Sequence, residues 1–218
     1  MMETAFWLDR WENQQIGFHQ NTVNEHLKQH WQSISPGTDN VLIPLCGKSL
    51  DILWLAEQSL AVTGIELSAL AVDDFFAQSQ CEYTVQTLPE YRLYQSQRIR
   101  IIQGDYFTLP PELTGKISSF YDRAALIAMP ESMRVSYVEK LASLLPSYAQ
   151  GLLITIEYPQ HEFSNPPPFS INTHQVESLL SPYFSVERLS REDTLKNNKK
   201  FAGKVSWLYE SVYKLIRK

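Results

Sequence analysis

A single-domain, doubly wound α/β fold with a mostly parallel, Rossmann-like sheet is predicted by three observations. The run Val41-Leu42-Ile43-Pro44-Leu45 is continuous rather than alternating, as expected of a parallel strand covered on both faces, and further strands are read at residues 61–65, 99–103, 117–122 and 151–158. Segments of helical period separate most of them, at residues 50–56, 69–78 and 131–145. The last two apolar segments, 184–189 and 205–216, have no helix between them, so they should close one edge as an antiparallel pair. A chain of 218 residues that is 44% hydrophobic and 12% aromatic can fill one core of this class.

Residues 1–35 read as helical and precede the first strand. Trp7 and Trp11 are four apart, hence on one helix face. A break at Gly17 is expected, then a helix over residues 22–31. Most of these aromatics suit a core; a cap over the mouth of a ligand site would use them equally well. His26 and His30 are four apart, but Glu25 lies outside the pair, so the HExxH zinc pattern is absent. They read as surface histidines, and no metal site is expected. The Ser, Pro, Gly, Thr, Asp cluster at residues 35–39 is a turn.

Residues 40–68 organise the chain. The strand at 41–45 is followed by Gly47, which permits a tight turn. Leu50, Leu53, Trp54 and Ala56 then take helical spacing, with Asp51 in or near the first turn. The strand at 61–65 delivers Glu66 to its carboxyl end, where ligands of open α/β sheets bind and an acid accepts ribose hydroxyls. The loop has only one glycine of a G-x-G-x-x-G fingerprint, which disfavours a pyrophosphate and with it a nicotinamide oxidoreductase. S-adenosylmethionine, a nucleoside without a diphosphate, fits instead. The plain alternative is an ordinary βαβ crossover with a surface Glu66.

Farther on, Ser68 is a plausible N-cap for the helix over 69–78. Residues 81–98 contain Pro89 and should be extended pieces at a sheet edge. Asp105 follows the third strand, where it either sits near an adenine or serves as a turn or cap residue. Asp122 and Arg123 end the fourth strand at the rim of the predicted site. Arg123 could favour an anionic acceptor, or simply pair with a carboxylate such as Asp122. The loop over 159–171 carries Pro166, Pro167, Pro168 and Phe169, and Thr173 is expected to cap a helix reaching Leu180. A lysine-rich loop over 196–204 joins the terminal strands.

A net charge of -5 argues against non-specific nucleic-acid binding. No apolar run approaches the roughly 20 residues of a membrane span. The N-terminus lacks the basic and apolar regions of a signal peptide, so a cytoplasmic location is expected. Cys46 and Cys81 fit neither a disulfide framework nor a metal motif. The expected partner is a small molecule, with no nucleic acid and no membrane.

Several pieces together resemble one family: Phe6-Trp7 with Arg10-Trp11, Ile16-Gly17-Phe18-His19-Gln20, PLCGKSLD at residues 44–51, Gly64-Ile65-Glu66-Leu67-Ser68, and YDRAAL at 121–126. In this order they resemble the thiopurine S-methyltransferases, the short bacterial members above all. The resemblance implies a class I S-adenosylmethionine-dependent methyltransferase, working as a monomer and releasing S-adenosylhomocysteine. It implies aromatic or heterocyclic thiols as acceptors, with selenium or tellurium compounds as further ones. Cofactor contacts carry over to Trp11, Leu45, Gly47, Glu66, Asp105, Tyr106 and Arg123, the last also as the catalytic residue. Acceptor contacts carry over to Trp7, Phe18, Pro167 and Phe169. The family's Gly-Pro-Pro-Phe loop is here Ser164-Asn165-Pro166-Pro167-Pro168, without the glycine. That stretch superficially resembles the [DN]-P-P-[YFW] of amino-group methyltransferases, but it has one proline too many and follows the fifth strand. The non-enzymatic alternative is a module that senses or sequesters S-adenosylmethionine without turnover.

Overall fold

The computed structural model describes residues 4–34, 40–58 and 60–218; the turn expected at 35–39 lies outside them. Its strands are β1 (Asn40–Ile43), β2 (Ala61–Glu66), β3 (Thr84–Thr87), β4 (Arg92–Gln95), β5 (Ile99–Gln103), β6 (Ser119–Arg123), β7 (Gln150–Glu157), β8 (Phe184–Asp193) and β9 (Tyr209–Arg217). Its α-helices are α1 (Thr4–Glu12), α2 (Glu25–Ile34), α3 (Leu50–Glu57), α4 (Ala69–Ser79), α5 (Glu131–Leu144) and α6 (Thr173–Leu180).

The strands form one sheet in the order β3-β4-β5-β2-β1-β6-β7-β9-β8. Its centre, β5-β2-β1-β6-β7, is parallel throughout. The expected antiparallel terminal pair is present, with β9 inside against β7 and β8 outermost. The extended pieces at 81–98 form the opposite edge, a β3–β4 hairpin laid antiparallel on β5. From β1 the chain winds through β2 to β5, then returns to place β6 on the other side of β1. That reversal opens a crevice outside the carboxyl ends of β1 and β6.

Alternation along the strands divides the core into two layers. Val41 and Ile43 face a layer with Leu27, Trp31, Ile52, Leu55, Val72 and Phe75, from α2, α3 and α4. Leu42 faces the other, with Tyr137, Leu141, Val176 and Leu180, from α5 and α6. Each such side chain contributes about 1.5–3 kcal/mol when fully buried. On the second face Phe120 occupies the space above Gly151, where a Cβ would meet its ring at 2.2 Å.

Helix ends follow side-chain acceptors. Ser68 accepts from the Ala71 N–H and caps α4 as expected, and Ser49 caps α3 in the same way. Three expectations are corrected. The second helix starts at Glu25 rather than residue 22, because the Asn24 side chain accepts from the Leu27 N–H (3.3 Å). Asn172, not Thr173, caps α6, in a reciprocal box with Gln175. Nor is His26 a surface residue. It is buried with its Nε2 3.4 Å from Glu210 of β9, and this hydrogen bond raises its pKa. His30 is half-buried and stacks on it, ring centres 6.3 Å apart. Among the described residues no helix is long and apolar enough to cross a membrane.

Candidate active site

A cleft of about 2100 Å³ opens at the carboxyl ends of the parallel strands. Small-molecule pockets usually span about 300–1,000 Å³, so there is room for two ligands side by side. Its lining combines strand-end residues of β1, β2 and β6 and the loop after β5 with α1, residues 15–20, the proline loop, and Lys200 and Lys204 of the loop before β9.

The backbone at the switch point is unusual. Leu45 (φ 48°) after β1 and Ala124 (φ 69°) after β6 both take left-handed conformations without being glycine. Such residues cost on the order of 1–3 kcal/mol and collect at functional sites. Gly47 is left-handed as well, and a Cβ on it would stand 3.2 Å from the Trp11 indole, which therefore lies directly against this loop.

Glu66 is buried at the end of β2 and lines the cleft. One carboxylate oxygen accepts the Gly47 N–H and the other accepts the Ser68 N–H, each at 2.8 Å. Burial raises its pKa, and these N–H groups pull it back. A carboxylate offers about four lone-pair sites; the Gly47, Ser68 and Leu67 N–H groups do not fill them all. Two adjacent hydroxyls are the natural complement.

A second cluster joins three elements. Asp51, buried in the first turn of α3, accepts from the Asn24 N–H (2.8 Å) and the Tyr121 hydroxyl (3.1 Å). Arg123 Nε lies 3.7 Å from Asp51 Oδ2, and its Nη1 donates to the Phe18 carbonyl (2.8 Å). Arg123 thus ties the N-terminal segment to the end of β6 while lining the cleft. The alternative reading of Arg123, a pair with a neighbouring carboxylate, is met by Asp51 and not by Asp122. Strand alternation sends Tyr121 and Arg123 to one face and Phe120 and Asp122 to the other. Asp122 is buried beneath Tyr137, whose hydroxyl donates to it (2.8 Å), and burial raises its pKa to about 6.

Trp7, Trp11, Phe18, Leu45, Gly47, Glu66, Asp105, Tyr106, Arg123 and Pro167 all line this cleft. Phe18 meets Trp7 and Trp11 edge-on, with ring centres 6.2 and 5.5 Å apart. Asp105 accepts from the Phe107 N–H (2.9 Å), the turn role, while bordering the cleft. Tyr106 touches the cleft but is only 1% exposed; its ring stacks on Tyr137 and its hydroxyl donates to the Tyr137 carbonyl. Phe169 stands outside the lining, with its N–H on the Ile127 carbonyl (2.7 Å) and Arg134 over its ring.

Lys48, His19, Asp51 and Lys200 also line the cleft without having been assigned a role from sequence. Lys48 pairs with Asp74 at 2.8 Å. Burial, then the charges of Lys48 and Arg123, lower the pKa of His19. Lys48 and Asp51 sit in the same PLCGKSLD stretch as Gly47 and were within reach of sequence reasoning. Lys200 carried no local signal.

Residues 2–218 match the family model described as Thiopurine S-methyltransferase (TPMT). The chain belongs to this family. The thiopurine S-methyltransferases of Shewanella baltica (strain OS155 / ATCC BAA-1091) and Shewanella frigidimarina (strain NCIMB 400) are each 49% identical to it over 219 residues, covering 100% of both chains. The fold is shared with a magnesium protoporphyrin IX methyltransferase from Synechocystis PCC 6803, solved with bound SAH. That structure has a TM-score of 0.66 at 16% identity, covering 99% of this chain and 100% of that one. A SAM-dependent methyltransferase from Anabaena variabilis ATCC 29413 gives 0.65 at 13% identity, with 99% and 95% covered. As a thiopurine S-methyltransferase family member, the chain is an enzyme that draws its methyl group from S-adenosylmethionine.

Proposed function

We propose that this enzyme methylates the sulfur of small aromatic or heterocyclic thiols, binding cofactor and acceptor side by side in the one cleft. The observation that carries this reading is Glu66, a buried carboxylate at the end of β2 held by backbone N–H groups, in the same cleft as Trp7 and Phe18. Glu66 takes the two ribose hydroxyls. Leu45, Gly47 and Trp11 shape the surface beside it, and Asp105 and Tyr106 border the adenine.

When bound, S-adenosylmethionine supplies a sulfonium methyl group open to in-line displacement. The chain contributes position and dryness, and positioning alone can supply several kcal/mol of a barrier. Trp7, Phe18 and Pro167 offer an apolar wall to an aromatic ring and keep water off the sulfur. Phe169 supports the proline loop from behind. Arg123 holds Phe18 by its carbonyl, and its remaining N–H donors favour an ionised thiol. A heteroaromatic thiol is already largely ionised near neutral pH, so no dedicated base is required. The described part of the N-terminal segment, residues 4–34, acts as a cap in a single-domain, monomeric, cytoplasmic enzyme.

The test begins with calorimetric titration of S-adenosylmethionine and S-adenosylhomocysteine, followed by assay of thiol loss across heterocyclic and aromatic thiols, with selenite and tellurite alongside. Binding of both nucleosides with consumption of an aromatic thiol is expected. Binding without consumption of any acceptor would favour a sensor.

A further inference from the structure

Lys200 has no part in the chemistry above, yet its ammonium stands between the two segments assigned to the acceptor. It lines the cleft and donates from Nζ to the Pro167 carbonyl at 3.2 Å. On its other side, Nζ is 3.9 Å from where a Cβ on Gly17 would sit, one residue before Phe18. An ammonium has three donors, and Pro167 takes one. The cations around it are Arg10 from α1 and Lys204 from its own loop, both of which also line the cleft. Burial, with Arg10 and Lys204 adding to it, depresses the Lys200 pKa to about 8.

Among the described residues no acid forms an ion pair with these three cations. Glu162 lies in the same wall, but its oxygens accept the Ser206 N–H and hydroxyl. Arg10 lies over the Phe6 ring at 4.5 Å, and its Nε is buried without a hydrogen-bond partner among the described residues. The contrast with Arg123 is direct, since that guanidinium faces the buried Asp51. An apolar wall bordered by cations without an acidic partner among the described residues suits an aromatic ring carrying an anionic substituent better than a neutral one.

We propose that Lys200, supported by Arg10 and Lys204, is an anion subsite that makes the enzyme select aromatic thiols bearing a carboxylate. This rests on the aromatic-thiol reading above. It makes Lys200 a specificity-determining residue, in contact with the acceptor's substituent rather than its sulfur.

The experiment measures kcat/KM for thiophenol and the three mercaptobenzoate isomers with the wild-type protein, Lys200→Gln and Lys200→Arg. Benzoate is also titrated calorimetrically onto each protein loaded with S-adenosylhomocysteine. The wild type is expected to prefer one mercaptobenzoate over thiophenol. In Lys200→Gln that preference falls by about tenfold or more, the scale of a lost hydrogen bond to a charged group, and Lys200→Arg restores most of it. Benzoate affinity falls in parallel. An unchanged ratio, or equal losses on both thiols, overturns the subsite and would place Lys200 at the sulfur or in the framework. If the wild type methylates neither thiol, the aromatic-thiol reading fails, and the benzoate titration decides the subsite alone. Weaker binding in Lys200→Gln supports it, and equal binding overturns it.

Discussion

Replacing Glu66 by glutamine changes little in shape and much in hydrogen bonding, so its effect can be worked out from the site. Each wild-type carboxylate oxygen accepts one backbone N–H, from Gly47 or Ser68, at 2.8 Å. In Glu66→Gln the amide nitrogen must face one of those N–H groups, donor against donor, and cannot accept a ribose hydroxyl on that side. The backbone mismatch exists with or without ligand and therefore appears mainly in stability. The lost hydroxyl contact appears in binding, at about 1.5–3 kcal/mol for a hydrogen bond to a charged group. That corresponds to a dissociation constant weaker by roughly tenfold to a hundredfold. Calorimetric titration of S-adenosylhomocysteine and of its 2′-deoxy and 3′-deoxy analogues onto both proteins measures the effect. A deoxy analogue should bind more weakly than the parent to the wild type, and the gap should shrink in Glu66→Gln, because the two changes remove the same contact. Equal affinity of both proteins for the parent nucleoside would refute the ribose assignment. So would a deoxy penalty of the same size in each.

Three further outcomes follow from named contacts. Arg123→Lys keeps the charge but loses the fork that reaches both the Phe18 carbonyl and Asp51. Steady-state kinetics should show kcat/KM for the acceptor about tenfold lower or more, and a wild-type value would remove Arg123 from the site. Gly151→Ala pushes a Cβ to 2.2 Å from the buried Phe120 ring. The denaturant midpoint should fall by the equivalent of about 1–3 kcal/mol, and no change would mean that the ring yields freely. Asp122 has a folded pKa of about 6, above its unfolded value of about 3.9. The folded state therefore keeps a proton that the unfolded chain releases, and stability drops as pH rises between those values, by very roughly 3 kcal/mol. Asp122→Asn should abolish that drop and gain on the wild type as pH approaches 7. Parallel pH profiles of chemical denaturation would refute this.

Much of this architecture was legible because strands such as β1 and β7 are buried on both faces and read as apolar runs. Glu66 was legible for a related reason: it is the first acid after such a run, and the end of a parallel strand is where ligands sit. What escaped were features set by tertiary placement. Asp122 and Arg123 are neighbours in sequence and point to opposite faces of β6, so the carboxylate beside Arg123 is Asp51, a residue 72 positions earlier, and not Asp122. His26 looks like one of two surface histidines until β9 brings Glu210 against it. Helix starts slipped where two capping residues compete within a few positions. Asn172 took the place expected of Thr173, and Asn24 fixed the start of α2. Lys200 was invisible for the opposite reason. It sits among other lysines in a loop whose composition suggests a solvated surface, and only the fold carries it to Pro167 and Gly17.

The central claim is transfer of a methyl group to an aromatic thiol sulfur in the cleft that Glu66 and Arg123 share. A single turnover with S-adenosylmethionine deuterated at the transferred methyl, followed by mass spectrometry, tests it most directly. The expected result is one deuterated methyl group on the sulfur of the thiol for each S-adenosylhomocysteine formed. Cofactor that remains intact beside unmodified thiol, or label found on an atom other than sulfur, would contradict it.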